Sequence, residues 1–358
     1  MAEERSTVLV TGVAGNLGRR LLPQLADLEV VGVDMAAPPE GLARFQQMDL
    51  GEERSCEELV ALLRESRAAA VVHLAFVIDP QRTGVLDRER MWQINVAGTA
   101  RVCEAIAVVN RTGGGVRKFL FPSSVSAYGP ETPGPVREDH PLAAHTLPYA
   151  IHKQESDEVV QERVPSLGDC RTYILRPHIF TGATMQNYLV GVLRGTPTGK
   201  SKKAARWREK GKRLPMTLPF GDQYPEKKLQ VVHVDDMARL IAHILRRPEG
   251  DPALTILNVA APGAPVTLQR CAEIAQARVR RAPRWLMKLA LRRMWNSGFS
   301  AIPPEALPYM IGSYTMDTRR LEQFLGAEYR QVLQHDVEAA LADSFVKSPV
   351  ASGELPVA

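Results

Sequence analysis

The stretch Thr7–Thr11 (T-V-L-V-T) is a short β-branched run, and glycines follow it before Leu17, Leu21, Leu22 and Leu25 recur on one side of a helix-period segment. The order read is strand, tight turn, helix. Further apolar runs return after intervening helical patterns, at Glu29–Val33, Ala70–Leu74, Lys118–Phe121, Thr172–Leu175 and Thr255–Val259. Continuous apolar strands alternating with helices predict a parallel sheet covered on both faces. From Pro177 onward the alternation loosens and Pro and Gly become frequent, which predicts a second, smaller α+β lobe. The expected division is a sheet domain over 1–176, with 229–259 returning to it, and a lobe over 177–228 and 260–345. A tail over 346–358, lacking an apolar stripe, is expected to be disordered.

Composition narrows the class. The chain has 358 residues, 45% hydrophobic and 24% charged, ordinary values for a globular protein large enough to bury a sizeable core. Cys56, Cys103, Cys170 and Cys271 form no C-x-x-C pair. A zinc ribbon, a dithiol centre and a secreted disulfide framework are therefore disfavoured, and a reducing, cytoplasmic setting is expected. Met1 to Ser6 are acidic and polar rather than an export signal, and the longest apolar run, Ala68–Ile78, is too short to span a bilayer and contains His73. The net charge is +5, yet nine basic residues (Arg194, Lys200, Lys202, Lys203, Arg206, Arg208, Lys210, Lys212 and Arg213) stand against Glu209 alone between 194 and 213. That segment carries +8 and the remainder −3, which describes a near-neutral body with one cationic insertion rather than a nucleic-acid binder.

The turn Thr11-Gly12-Val13-Ala14-Gly15-Asn16-Leu17-Gly18 lies between the first strand and the first helix. Glycines there let the backbone approach a pyrophosphate, whose charge the amides of the helix N-terminus hold. Asp34 ends the second strand, 22 positions after Gly12, where a carboxylate accepts hydrogen bonds from an adenosine ribose. The same charge repels a 2′-phosphate, so NAD is the expected cofactor rather than NADP. The fold expected is thus α/β, a Rossmann-type doubly wound parallel sheet with the smaller C-terminal lobe.

The spacing G-x-x-G-x-x-G resembles that of the extended short-chain dehydrogenase/reductases, the NAD-dependent epimerase/dehydratase group. Other segments are similar in order: Asp49-Leu50, His73-Leu74-Ala75, Asn95-Val96-Ala97-Gly98-Thr99, Ser123-Ser124-Val125-Ser126-Ala127-Tyr128-Gly129, Tyr149-Ala150-Ile151-His152-Lys153, Arg176-Pro177 and His233-Val234-Asp235-Asp236-Met237-Ala238. The likeness runs from about Thr7 to Phe345. It implies cofactor contacts from Gly12, Gly15, Asn16, Leu17, Gly18, Asp34, Asp49, Leu50, Leu74, Ala75, Asn95, Tyr149, Lys153 and Pro177. It also implies a catalytic set of Ser124, Tyr149 and Lys153, with Ser126 and Asn187 facing substrate. His73 and His233 fit strand-end positions and are read as structural, and no metal site is expected.

The Tyr-Lys pair also carries its own physics. Tyr149 and Lys153 stand one helical turn apart on one face, so the ammonium is expected to lower a phenol that otherwise titrates near 10. Tyr149 then serves as general base toward a substrate hydroxyl, while Ser124 hydrogen-bonds the same oxygen. Val125 and Ser126 follow Ser124 where the resembling dehydratases carry Asp-Glu, which disfavours dehydration and decarboxylation. Leu229 stands where nucleotide-sugar epimerases of the family hold a diphosphate with Arg, and Gly312-Ser313-Tyr314-Thr315-Met316 replaces their R-x-G-D. Hydride transfer at a secondary alcohol or ketone remains the leading expectation. The alternatives are a nucleotide-sugar epimerase with retained NAD and a non-catalytic NAD(H)-sensing protein. The partners expected are a small-molecule substrate and a second copy in a homodimer, without nucleic acid. The basic run is read foremost as a solvated loop, and 284–295 as a lobe helix packing Trp285, Leu289 and Trp295 inward. The sharper alternative for either segment is contact with an anionic ligand or a membrane surface.

Overall fold

A computed structural model of the chain describes residues 6–78, 84, 85 and 87–346; the tail expected beyond 346 lies outside the described residues. Seven strands form one sheet: β1 Thr7–Thr11, β2 Glu29–Asp34, β3 Arg44–Gln47, β4 Ala70–His73, β5 Lys118–Pro122, β6 Arg171–Pro177 and β7 Leu254–Val259. Their order across the sheet is β3-β2-β1-β4-β5-β6-β7 and every pairing is parallel. The edge strand β3 (R-F-Q-Q) is half exposed, so it has no continuous apolar run to announce it.

Seven helices matter here: α1 Asn16–Gln24, α2 Ser55–Ser66, α3 Gly98–Arg111, α4 Pro148–Arg163, α5 Lys202–Glu209, α6 Val234–Arg246 and α7 Arg284–Asn296. Successive side chains of a strand point to opposite faces. Val8 and Val10 accordingly pack with Leu21 of α1 and Leu240 and Ile241 of α6, while Leu9 packs with Leu59 of α2, Ile106 of α3 and Val160 of α4. Both faces are covered, as the apolar runs require. The chain leaves β3 and resumes at β4 on the other side of β1, which opens a crevice beyond the carboxyl ends of β1 and β4.

After β6 the chain builds shorter pairings around a separate apolar cluster containing Leu193, Met216, Leu229, Leu268 and Leu341. Ile179–Thr181 pairs with Val231–His233, and Met216–Leu218 with Val279–Arg281.

Two expectations are corrected here. The centre of the basic run is not a loop: it folds as α5, with Ser201 as N-cap accepting from Ala204 N and Trp207 edge-on to Phe299 at 5.5 Å. Arg194, Arg208 and Arg213 donate to backbone carbonyls, among them Ser344 O, Pro197 O and Ala275 O. A cap and an aromatic partner outweigh the charge repulsion of so short a segment. In α7 the inward side chains are Met287 and Leu291, one turn apart, whereas Trp285 is 68% exposed and Leu286 41%. Trp285 sits about 200° around the helix from Met287, so both cannot face the core. Among the described residues no helix is long and apolar enough to cross a membrane.

Candidate active site

Gly12 leaves β1 at φ +70°, and a Cβ there would lie 2.4 Å from Ala75 N, so only glycine fits. Gly15 N donates to Gly12 O at 3.1 Å, and α1 begins at Asn16, with Gly18 packed against Val13 O. The amides of this first turn open on the crevice. Asp34 ties the turn down: Oδ2 accepts from Ala14 N at 2.8 Å and Oδ1 from Ala36 N at 2.9 Å. Leu17 is half-buried against the same core. Asn16 donates through Nδ2 to Thr184 Oγ1 at 3.2 Å, while its Oδ1 is buried without a partner, an acceptor suited to a hydroxyl donor of a bound dinucleotide. The glycine turn and this orphaned acceptor fit NAD.

Asp49 accepts from Gly51 N at 2.8 Å and pairs with Arg90, a neighbour that no sequence signal had indicated. Leu50, beside it, is buried and faces Gly98. Leu74 N donates to Thr11 O, and Ala75 N to Thr11 Oγ1, which keeps these two residues against Gly12. Asn95 clamps the segment that follows: its Oδ1 accepts from Val77 N at 2.6 Å and its Nδ2 donates to Val77 O at 3.0 Å.

Ser124 caps the single turn Val125–Tyr128, and Ser126 Oγ donates to Ser124 Oγ at 2.9 Å. Tyr149 and Lys153 stand on α4, and Ser124 is near enough to the Tyr149 phenol to act on its pKa. Ser124, Ser126 and Tyr149 are thus brought together as expected. Lys153 Nζ donates to Pro122 O at 2.7 Å and lies 3.6 Å from the centre of the Phe76 ring, which meets Tyr149 edge-on at 5.9 Å. Phe76 was missed in the sequence; the signal was an aromatic directly after His73-Leu74-Ala75.

Electrostatics differ from expectation at the phenol. Burial raises the Tyr149 pKa, with the nearby Ser124 hydroxyl acting against it, so the phenol is not lowered in the protein alone. Burial also pulls Lys153 down to about 7, with Asp157 opposing, so its ammonium is itself costly to maintain. A half-neutralised lysine packed on an aromatic ring is a weak source of positive potential. His73 is held neutral by burial, down to about 3, between Thr11 Oγ1 at 2.7 Å and Thr99 Oγ1 at 3.0 Å.

The remaining positions act at a distance. Pro177 ends β6 after Arg176, whose buried guanidinium makes a two-pronged pair with Asp157 at 2.9 Å and reaches Tyr128 Oη and Glu138 O, each at 2.8 Å. Asn187 caps the helix Tyr188–Arg194, with Oδ1 accepting from Val190 N and Nδ2 donating to Phe180 O, so both ends of its amide are engaged within the chain. His233 meets Asp343 at 3.1 Å and stacks on His335 at 3.9 Å. His233, Asp236 and His335 bring one donor atom each within 4.8 Å of one another, but Asp236 is already shared by Arg239 and His335. Asp343 also accepts from Ala183 N, next to the Thr184 that holds Asn16 and Arg20. A cavity of about 440 Å³ is lined by Glu131, His145, Tyr224, Lys227 and Arg284, and Tyr224 belongs to the same apolar cluster as Tyr149.

A parallel sheet with a glycine turn at its switch point and a hydroxyl-phenol-ammonium group beside it defines a Rossmann-type dinucleotide enzyme. The chain belongs to the NAD dependent epimerase/dehydratase family, whose model matches residues 8–260, and it is an NAD-dependent enzyme. It is 27% identical over 252 residues to a UDP-glucose 4-epimerase of Erwinia amylovora, covering 65% of this chain and 71% of that protein. A UDP-glucose 4-epimerase of Haemophilus influenzae is 25% identical over 272 residues, 70% of this chain and 77% of that one. The fold superposes on the Thermus thermophilus UDP-glucose 4-epimerase complex with NAD at TM-score 0.66 and 21% identity, covering 95% and 98% of the two chains. The Bordetella bronchiseptica enzyme WbmH in complex with NAD+ gives TM-score 0.66 at 16% identity, covering 96% and 98%.

Proposed function

We propose that the protein transfers a hydride at a secondary alcohol or ketone carbon, with Ser124, Tyr149 and Lys153 as the residues that handle the substrate oxygen. The observation that carries this reading is the gathering of Ser124, Tyr149 and the buried Lys153 at the carboxyl end of the sheet, with Lys153 Nζ on Pro122 O and Phe76 packed against both Tyr149 and Lys153. NAD would be held by the Gly12–Gly18 turn, Asp34, Asp49, Leu50, Leu74, Ala75, Asn95, Lys153 and Pro177. When bound, it supplies the hydride acceptor and a positive ring that favours phenolate. Tyr149 takes the proton of the substrate hydroxyl, and Ser124 donates a hydrogen bond to the same oxygen as charge builds on it. Lys153 offsets the charge on Tyr149, and Ser126 orients Ser124 through their shared hydrogen bond. The groups divide as a sheet domain over 1–176 and 229–259, with a lobe over 177–228 and 260–345 presenting the substrate side.

A second reading, epimerisation of a nucleotide sugar with NAD retained between half-reactions, is favoured by the relatives. The buried Leu229 offers no charge to a diphosphate; in the neighbouring cavity Arg284 does, while Lys227 is paired with Glu131 and would have to exchange that partner for the ligand. One experiment separates the two: mass spectrometry of small molecules released from the purified protein, together with a panel of secondary alcohols, ketones and UDP-sugars. Freely exchanging NAD and net formation of reduced cofactor support oxidation or reduction. Retained NAD with interconversion of UDP-sugars and no net reduction supports epimerisation. Absence of turnover with NAD bound would refute both and leave an NAD(H)-sensing role.

A further inference from the structure

Two basic segments far apart in the chain converge on one side of the lobe. The strand Met216–Leu218, just past α5, pairs with Val279–Arg281, just before α7. Gly199 N donates to Phe299 O and Ser201 N to Gly298 O, so the start of α5 is fastened to the end of α7. Residues 274–304 contain Arg278, Arg280, Arg281, Arg284, Lys288, Arg292 and Arg293 and no acidic residue. This segment carries +7 and 194–213 carries +8; the sum is +15 against a whole-chain charge of +5, so the rest of the chain carries −10.

Exposed apolar side chains sit among these charges. Trp285 and Phe220 are 68% and 63% exposed, and Val279 and Leu286 are exposed beside them. Their positions are fixed rather than incidental: Arg281 Nη1 donates to Pro219 O and Gly221 O, on either side of Phe220, and Ala282 N donates to Leu218 O. On α7 the steps of three and four residues from Trp285 to Lys288 and Arg292 form one exposed stripe, turned about 110° around the helix from the buried Met287 and Leu291.

We infer that this face, centred on Trp285 and the outer side of α7, docks on an anionic lipid surface. Aliphatic and aromatic side chains ringed by long basic ones match the boundary between headgroups and acyl chains, where the rings settle and the ammonium and guanidinium groups reach the phosphates. A second copy of the chain would oppose this face with itself across a two-fold axis, positive on positive. The inner side chains of the docked helix, Met287 and Leu291, belong to the same apolar cluster as Leu147, Ala150 and Tyr149, so the docked face and the candidate site share one core.

The test uses the full chain and sedimentation with vesicles of phosphatidylcholine alone or mixed in equal parts with phosphatidylglycerol. Binding to the mixed vesicles, weakened by added salt and absent on phosphatidylcholine, is expected. Each basic side chain at the surface is worth roughly fivefold in partition, so K288E/R292E should lower binding at least about 25-fold. W285S should weaken it separately while leaving the melting temperature and NAD affinity unchanged, since Trp285 is exposed. Equal binding to both vesicle types, no binding to either, or binding insensitive to both variants would overturn the inference. Binding to a random-sequence oligonucleotide that matches vesicle binding and ignores W285S would overturn it in favour of a general polyanion surface.

Discussion

Asp157 and Arg176 form the ion pair on which the active-site helix is anchored, and Asp157→Asn tests its strength. The carboxylate has no exposed surface and the guanidinium side chain is 2% exposed. Removing one partner of such a pair costs about 3–5 kcal/mol, because the other charge stays buried without a counter-ion. Arg176 keeps Tyr128 Oη and Glu138 O at 2.8 Å, and an amide oxygen at 157 still accepts one hydrogen bond, which places the loss near the lower end, about 3 kcal/mol. For a chain of this size that is on the order of 4 °C in Tm. Asp157 also favours the ammonium of Lys153, four residues earlier, so its neutralisation should push the Lys153 pKa below its present value of about 7 and weaken NAD binding at neutral pH. Urea unfolding followed by tryptophan fluorescence reads the first effect and calorimetric NAD titration the second. In the double variant Asp157→Leu/Arg176→Met both charges disappear, and its loss should fall well short of the two single losses added together. A single-variant cost below about 1 kcal/mol, or strict additivity in the cycle, would refute the reasoning.

Tyr149→Phe should reduce turnover by about 10²–10⁴ while leaving NAD affinity intact if, as proposed, the phenol acts on the substrate; undiminished activity would place the base elsewhere. NAD should bind at least about tenfold more tightly than NADP in competitive titration, and Asp34→Ala should narrow that gap; equal affinities would exclude Asp34 as the discriminating group. Lys153, near 7 when folded and about 10.4 when unfolded, carries more protons in the unfolded chain between those values, so its contribution to stability rises with pH across that window and is flat below it. The stability of the NAD-free wild type measured relative to Lys153→Met should therefore rise from pH 7 toward pH 10 as the cost of burying the ammonium is relieved, and a constant relative stability would contradict a depressed lysine.

The main sheet was legible because each of its central strands is buried on both faces and must read as an apolar run, and the glycine turn because φ +70° at Gly12 leaves little choice of residue. The edge strand β3 escaped notice for the opposite reason: half of it faces water. The spacing of Tyr149 and Lys153 disclosed their common helix face. It did not disclose the balance of solvation at that face, since Phe76, in the segment after β4, and Pro122, at the end of β5, arrive from elsewhere in the chain and remove the water on which an ordinary ammonium depends. Trp285 was misplaced for a related reason. A helix with apolar residues on several sides does not reveal which side meets the core until the partners, here Leu147 and Ala150, are known.

The glycine turn owes part of its support to residues contributed last. Asn16 and Arg20 are held by Thr184, and Ala183 beside it is held by Asp343, on the final described helix, Val337–Asp343. Translation delivers Asp343 long after β1, α1 and β2 have emerged, so a nascent chain can pair its early strands while the crevice above them remains unbraced. Contacts of such long sequence separation form late and slow the approach to the native state. Cofactor capture thereby becomes a closing event of biosynthesis, and shortening the chain before Asp343 should yield a collapsed sheet that handles dinucleotide poorly even though every glycine of the turn is present.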